Sequence, residues 1–196
     1  MHQVPMNSIF KIAGISMLVL SVCLSSCNST KESKPLRPNI IYILADDMGY
    51  GDVEALNPES KIPTPNLNKM AEEGMVFSDA HSSSAVCSPT RYGVLTGRYN
   101  WRTRLQNGVL GGFSPHLITP ETETVASFLK KNDYNTACVG KWHLGWDWPT
   151  VDGYEFSDRF NEESEHVDWT KPIVNGPLDI GFDYFFVISG SLDLAP

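Results

Sequence analysis

The chain has 196 residues, with 15 Lys and Arg against 23 Asp and Glu, for a formal charge of −8. Hydrophobic residues make up 41% and charged residues 19%, a composition that excludes a disordered or collagen-like chain and allows one sizeable core. The acidic balance argues against a nucleic-acid partner, whose footprint is a surplus of Lys and Arg.

Residues 1–26 read as an export signal. Lys11 precedes an apolar run from Ile12 to Leu24, shorter than the roughly 20 residues that a spanning helix needs. Leu24-Ser25-Ser26-Cys27 resembles the lipobox of bacterial lipoproteins, which implies cleavage before Cys27 and acylation of its sulfur. Residues 27–38 then form a polar tether. The protein is expected in the periplasm or at the cell surface, lipid-anchored to a bacterial membrane; a plain signal peptide cleaved nearby is the alternative. Export leaves Cys87 and Cys138, and Cys138 in the run Ala137-Cys138-Val139 reads as a buried, inert thiol.

Residues 39–196 carry the pattern of an α/β domain. Asn39-Ile40-Ile41-Tyr42-Ile43-Leu44-Ala45 lacks polar alternation, as a central strand buried on both faces does. Thr64-Pro65 opens a helix with Leu67, Met70 and Ala71 on one stripe, and Gly74 ends it. Met75-Val76-Phe77 reads as a short strand. Thr119-Pro120 repeats the helix signal ahead of Val125, Phe128 and Leu129, and Thr136 to Val139 is the next buried strand. Alternating strand and helix imply a mostly parallel sheet with helices on its faces. Asp152 to Asp168 holds seven acids against one base, Arg159, and reads as a solvated insertion. Phe182 to Ile188 resumes a strand.

Two signals carry chemistry. Asp46-Asp47 ends the first strand, where ligands of open α/β sheets gather. Adjacent strand residues point to opposite faces, so both carboxylates reach one cation only if the chain bends, which Gly49 and Gly51 permit. Such hard oxygen donors suit Ca²⁺ or Mg²⁺. The second signal is Cys87-Ser88-Pro89-Thr90-Arg91, continued to Thr96-Gly97. That Cys-Pro-Arg spacing is expected by chance only about once in a hundred chains of this length. Pro89 starts a helix just after Cys87, whose free N–H groups favour an anion, and Arg91 shares the face of Cys87.

Together these residues resemble the type I, formylglycine-dependent sulfatases. Cys-x-Pro-x-Arg-x4-Thr-Gly is matched from Cys87 to Gly97, and Gly140-Lys141-Trp142-His143 looks like the family's second signature. Asp46 to Asp52 resembles its N-terminal metal motif. The resemblance implies an alkaline-phosphatase-like fold and an arylsulfatase-like hydrolase releasing sulfate from sulfated carbohydrate or aryl sulfate. It implies that a sulfatase-maturating enzyme oxidises Cys87 to formylglycine, whose hydrate attacks the ester sulfur and then expels sulfate as the aldehyde re-forms. Asp46, Asp47 and the residue made from Cys87 would hold Ca²⁺, with Arg91 steadying the pair. Lys141 and His143, two apart on extended backbone, would face one side, Lys141 contacting substrate sulfate and His143 the formylglycine hydroxyl or the sulfate. Trp101-Arg102-Thr103-Arg104 is a candidate pocket rim.

The family's later metal pair and its later His and Lys are not matched after residue 145. On that ground the chain reads as the N-terminal part of a sulfatase, inactive by itself. Two alternatives stand beside this reading: a non-catalytic surface lipoprotein binding sulfated glycan, and a phosphate or phosphonate ester hydrolase on the same scaffold.

Overall fold

The computed structural model describes residues 37–158, 160 and 164–192. The signal segment, Cys27 and the tether up to residue 36 lie outside the described residues. The chain divides into two units after Ile43, and each is described by itself.

In the first unit, residues 37–43 form no regular element, and Ile41 and Ile43 are exposed. The strand expected over 39–45 is therefore not formed among the described residues. A β-rich run becomes a strand only when neighbouring backbone takes its N–H and C=O groups, and no ladder reaches it.

In the second unit, α1 spans Pro65–Glu73, with Thr64 at the N-cap, Pro in its first turn and Gly74 after its end. Helix α2 spans Cys87–Thr96 and stops at Gly97, whose φ of 65° is left-handed and whose N–H donates to the Gly93 carbonyl. That conformation favours glycine. Helix α3 spans Val125–Lys131. It begins at Thr124 rather than at the expected Thr119-Pro120, which forms a turn. The Thr124 hydroxyl accepts from Ser127 N–H at 3.0 Å and donates to the Ile180 carbonyl at 2.6 Å. This buried double contact fixes the start, where a proline alone does not.

Strands β1 (Ala137–Lys141) and β2 (Tyr184–Ile188) pair in parallel, with Ala137 opposite Tyr184 and Lys141 opposite Ile188. The mostly parallel α/β architecture is thus present. Cys138, Phe185 and Val187 face the core side, while Val139 and Phe186 are more than 70% exposed. Burial on both faces, expected for β1, is met on one. Met75-Val76-Phe77 is exposed and forms no strand, for the same want of a partner.

The core gathers Leu110, Leu117, Ile118, Ala126, Leu144 and Ile180 with Trp142, Trp146 and Phe182. Each buried leucine, isoleucine or phenylalanine among them stabilises by about 1.5–3 kcal/mol relative to exposure. The acidic stretch expected to be wholly solvated instead sends Val167 into the interior, and Thr150 and Val167 form an antiparallel bridge. Its apolar residues decide its path, which a charge count hides.

Gly145 locks the end of β1 against the preceding loop. Its φ is 68°, and a Cβ there would stand 2.1 Å from the Pro115 carbonyl oxygen. Gly145→Ala is expected to destabilise the fold by about 2–4 kcal/mol, measured as a lowered urea midpoint with the slope unchanged.

Asp147 ties the same turn to the rest of the body. It accepts from His116 Nδ1 at 2.7 Å and from Asn175 Nδ2 at 2.6 Å. Burial pushes its carboxyl up, but the hydrogen bonds from His116 and Asn175 outweigh this and hold it below the ordinary carboxylate value. A depressed pKa contributes stability above the unfolded value of about 3.9 that is lost as pH falls through the folded value. Asp147→Asn is expected to lower stability by about 1 kcal/mol, discounted for partial exposure. In thermal melts across pH, the gap from wild type should hold at neutrality and close in the acid range.

Candidate active site

Cys87 is the first residue of α2, not the residue before it, and Pro89 is the third. The first helical bond runs from Thr90 N–H to the Val86 carbonyl, so the N–H groups of Cys87 and Ser88 are not used by the helix. The thiol is half-buried and free, and it makes no hydrogen bond among the described residues. Cys138 is also a free thiol, and burial pushes its pKa up, in keeping with an inert core cysteine.

Asp46 joins the separate motifs. Its Oδ2 lies 2.6 Å from Lys141 Nζ and 3.3 Å from Arg91 Nη2. Arg91 also donates through Nη1 to the Lys141 carbonyl, pinning the end of β1 to α2. The Lys141 hydrogen bond, opposed by burial and aided by Arg91, holds the Asp46 carboxyl below its usual value. Lys141 Nζ has a further partner in Ser191 Oγ at 3.3 Å.

His143 departs from the expected extended geometry: its φ is 55°. It is fully buried, and its Nε2 donates to the Leu110 carbonyl at 2.6 Å. Lys141 and His143 therefore do not project together from one strand face. Burial pushes the imidazole pKa down, and the charges of Lys141 and Arg91 add to this. The ring is neutral at pH 7, with Nε2–H fixed by its carbonyl partner. Nδ1 thus keeps its lone pair, buried and without a partner among the described residues.

Leu110 is the part that sequence reasoning missed. Its N–H donates to Ser88 Oγ at 3.2 Å while its carbonyl accepts from His143. One backbone unit thereby couples the residue after Cys87 to the buried imidazole. A contact made by main-chain atoms leaves no trace in residue type, so no sequence signal could have located it. Within the rim expected over residues 101–104, one side chain is engaged elsewhere. Arg104 is spent on the Pro115 and His116 carbonyls and on Asp158, so its guanidinium is a structural tie.

The expected cation ligands are brought together only in part. Asp47 has a φ of 66°, so the required bend falls at Asp47 itself rather than at Gly49 or Gly51; aspartate tolerates that region better than most residues. Among the described residues no three His, Cys, Asp or Glu gather as a metal site. Asp46 and Asp47 fit one side of a Ca²⁺ or Mg²⁺ shell by donor chemistry, and the described residues do not close it.

The chain is similar to known proteins along most of its length. The sulfatase family model matches residues 38–186. The chain is 34% identical to an N-acetylgalactosamine-6-O-sulfatase of Bacteroides thetaiotaomicron over 185 residues, covering 94% of this chain and 32% of that protein. It is 40% identical to arylsulfatase G of Rattus norvegicus over 166 residues, covering 83% of this chain and 26% of that protein. A solved structure from work on glycosaminoglycan metabolism by Bacteroides thetaiotaomicron superposes with a TM-score of 0.68 at 38% identity, covering 82% of this chain and 30% of the other. The chain thus spans about a third or less of the length of the curated relatives it matches.

Proposed function

Because this chain belongs to the sulfatase family, we propose that it serves a sulfuric-ester hydrolase acting on sulfated carbohydrate, with formylglycine made from Cys87 as nucleophile. The observation that carries this reading is the meeting of three distant motifs at one carboxylate, where Asp46 holds both Lys141 and Arg91. Lys141 and Arg91 share the single Asp46 carboxylate and so leave a net positive charge to attract a sulfate group. Lys141 binds and orients that group. Arg91 fixes the Lys141 backbone, and neutral His143 offers Nδ1 as an acceptor for a hydroxyl proton. Asp46 and Asp47 would hold one side of a Ca²⁺ or Mg²⁺ ion, which when bound supplies polarisation of a sulfate oxygen. A sulfatase-maturating enzyme is the partner that oxidises Cys87. The glycan substrate is supported by the relative that acts on N-acetylgalactosamine 6-sulfate groups, as its name states.

The test uses the full-length gene product co-expressed with a maturating enzyme. Turnover of 4-nitrophenyl sulfate should exceed that of 4-nitrophenyl phosphate by about a hundredfold or more. The reverse preference would transfer the site to phosphate-ester chemistry. Export and anchoring rest on the sequence of residues 9–27. Cys27→Ala is expected to move the protein from the membrane fraction to the soluble one, followed by fractionation and by mapping the mature N-terminus; a start anywhere but Cys27 sinks the anchor.

A further inference from the structure

We propose that Arg98, Tyr99, Trp101 and Arg102 form a surface that grips an anionic, sulfated sugar chain away from the active site. The choice of occupant rests on the sulfatase reading. Charge is segregated along this part of the chain. Between Asp79 and Glu121 stand four arginines and no Lys, Asp or Glu, in a chain whose formal charge is −8. Two of the four are used internally: Arg91 on Asp46 and the Lys141 carbonyl, and Arg104 on Asp158 and the Pro115 and His116 carbonyls. Arg98 and Arg102 are exposed, and neither guanidinium has an acidic partner among the described residues.

Two aromatic rings share this segment with the free charges. Tyr99 and Trp101 stack at 4.0 Å and 13°, yet they remain 48% and 53% exposed. Their backbone is already fixed. Asn100, buried between them in the chain, donates through Nδ2 to the Leu105 carbonyl at 2.9 Å, and Gln106 Nε2 donates to the Trp101 carbonyl at 2.9 Å. Such preorganisation lowers the ordering cost of binding. The place of Arg98 just past α2 also suits the negative end of the helix dipole. That accounts for one charge, and for neither Arg102 nor the exposed ring pair.

The chemistry of these groups selects the occupant. A guanidinium answers sulfate or carboxylate oxygens with paired N–H groups, while an exposed aromatic ring covers the apolar C–H surface of a sugar. Two free cations are few for a nucleic-acid backbone, and an anionic membrane surface is read by clusters of roughly four to eight. A sulfated glycan carries sparser charge together with sugar faces, and so matches both features. Helix α2 sets the distance from the nucleophile. Cys87 opens it and Gly97 follows its last turn, and a helix of this length spans roughly 15 Å. The surface therefore holds a stretch of polymer other than the ester at Cys87.

The test uses the full-length, matured protein and fluorescein-labelled chondroitin sulfate, with binding followed by fluorescence anisotropy. Binding should saturate and weaken as salt is raised, and uncharged dextran should compete at least about tenfold more weakly. Arg98→Gln combined with Arg102→Gln should weaken the polymer by about tenfold or more, while 4-nitrophenyl sulfate turnover stays within about twofold of wild type. Trp101→Leu should weaken the polymer by about fivefold or more. Both guanidiniums are exposed and unpaired, so the double variant should keep the wild-type melting temperature and decides the matter if Trp101→Leu does not. Polymer binding by the double variant within about twofold of wild type overturns the surface. Tighter binding of oligothymidylate or of phosphatidylserine vesicles at the same salt overturns it too. Sulfate-ester turnover with no effect of the double variant on polymer binding spares the function and sinks the surface. Polymer binding lost in the double variant of a protein without turnover supports the surface and counts against the sulfatase reading alone.

Discussion

Cys87→Ala in the full-length, matured protein is expected to lower sulfate-ester turnover by at least about a thousandfold if the proposed nucleophile is right, because the alanine methyl cannot be oxidised to an aldehyde or act as a nucleophile. The fold should survive the change. Cys87 is half-buried, has no hydrogen bond among the described residues and stands at the first position of α2, where alanine is a good helix former. The measurement pairs steady-state kinetics with the mass of the peptide containing residue 87. In the wild type that peptide should appear lighter by the difference between a thiol and an aldehyde. Full turnover by Cys87→Ala, or by a wild type in which the thiol persists, would remove Cys87 from the chemistry.

Lys141→Ala should lower kcat/KM by about a hundredfold or more, the usual loss when one preorganised charge is taken from an oxyanion site. Its side chain is only 16% exposed, and its ammonium lies 2.6 Å from Asp46. Without it Asp46 keeps Arg91 alone, and its carboxyl pKa should rise toward the ordinary value. The stability loss should be smaller, about 1 kcal/mol, since water still reaches the pair. Urea melts beside the kinetics separate the two effects. A variant that keeps kcat/KM within tenfold of wild type would show that Lys141 serves the Asp46 pair and not the substrate.

Several elements were legible before any coordinates. Thr64-Pro65 and Gly74 bracket α1, with Pro65 in its first turn, although the Thr64 hydroxyl serves Glu54 and Asn68 rather than a cap. The apolar runs around residues 137–141 and 184–188 do pair, and in parallel. The motif residues Asp46, Arg91 and Lys141, which the family resemblance had assigned to one site, lie within ion-pair reach of each other. All of these depend on local propensity, or on side-chain chemistry that residue identity carries with it.

The tertiary structure decided the rest. The runs at 39–45 and 75–77 have strand composition but no ladder partner among the described residues, and a strand is a property of a pair of segments. Helix α3 starts at Thr124 because that hydroxyl also reaches Ile180, a residue 56 positions away. His143 leaves the extended path and finds Leu110, whose contribution is a backbone carbonyl that any residue could have supplied. Phe113 meets Trp148 and Phe156 only because the chain folds distant stretches together. Sequence by itself determined which side chains bear charge, sulfur and aromatic surface. Which of them share a dry, packed space followed from long-range backbone contacts, whose donors and acceptors are the same at nearly every position.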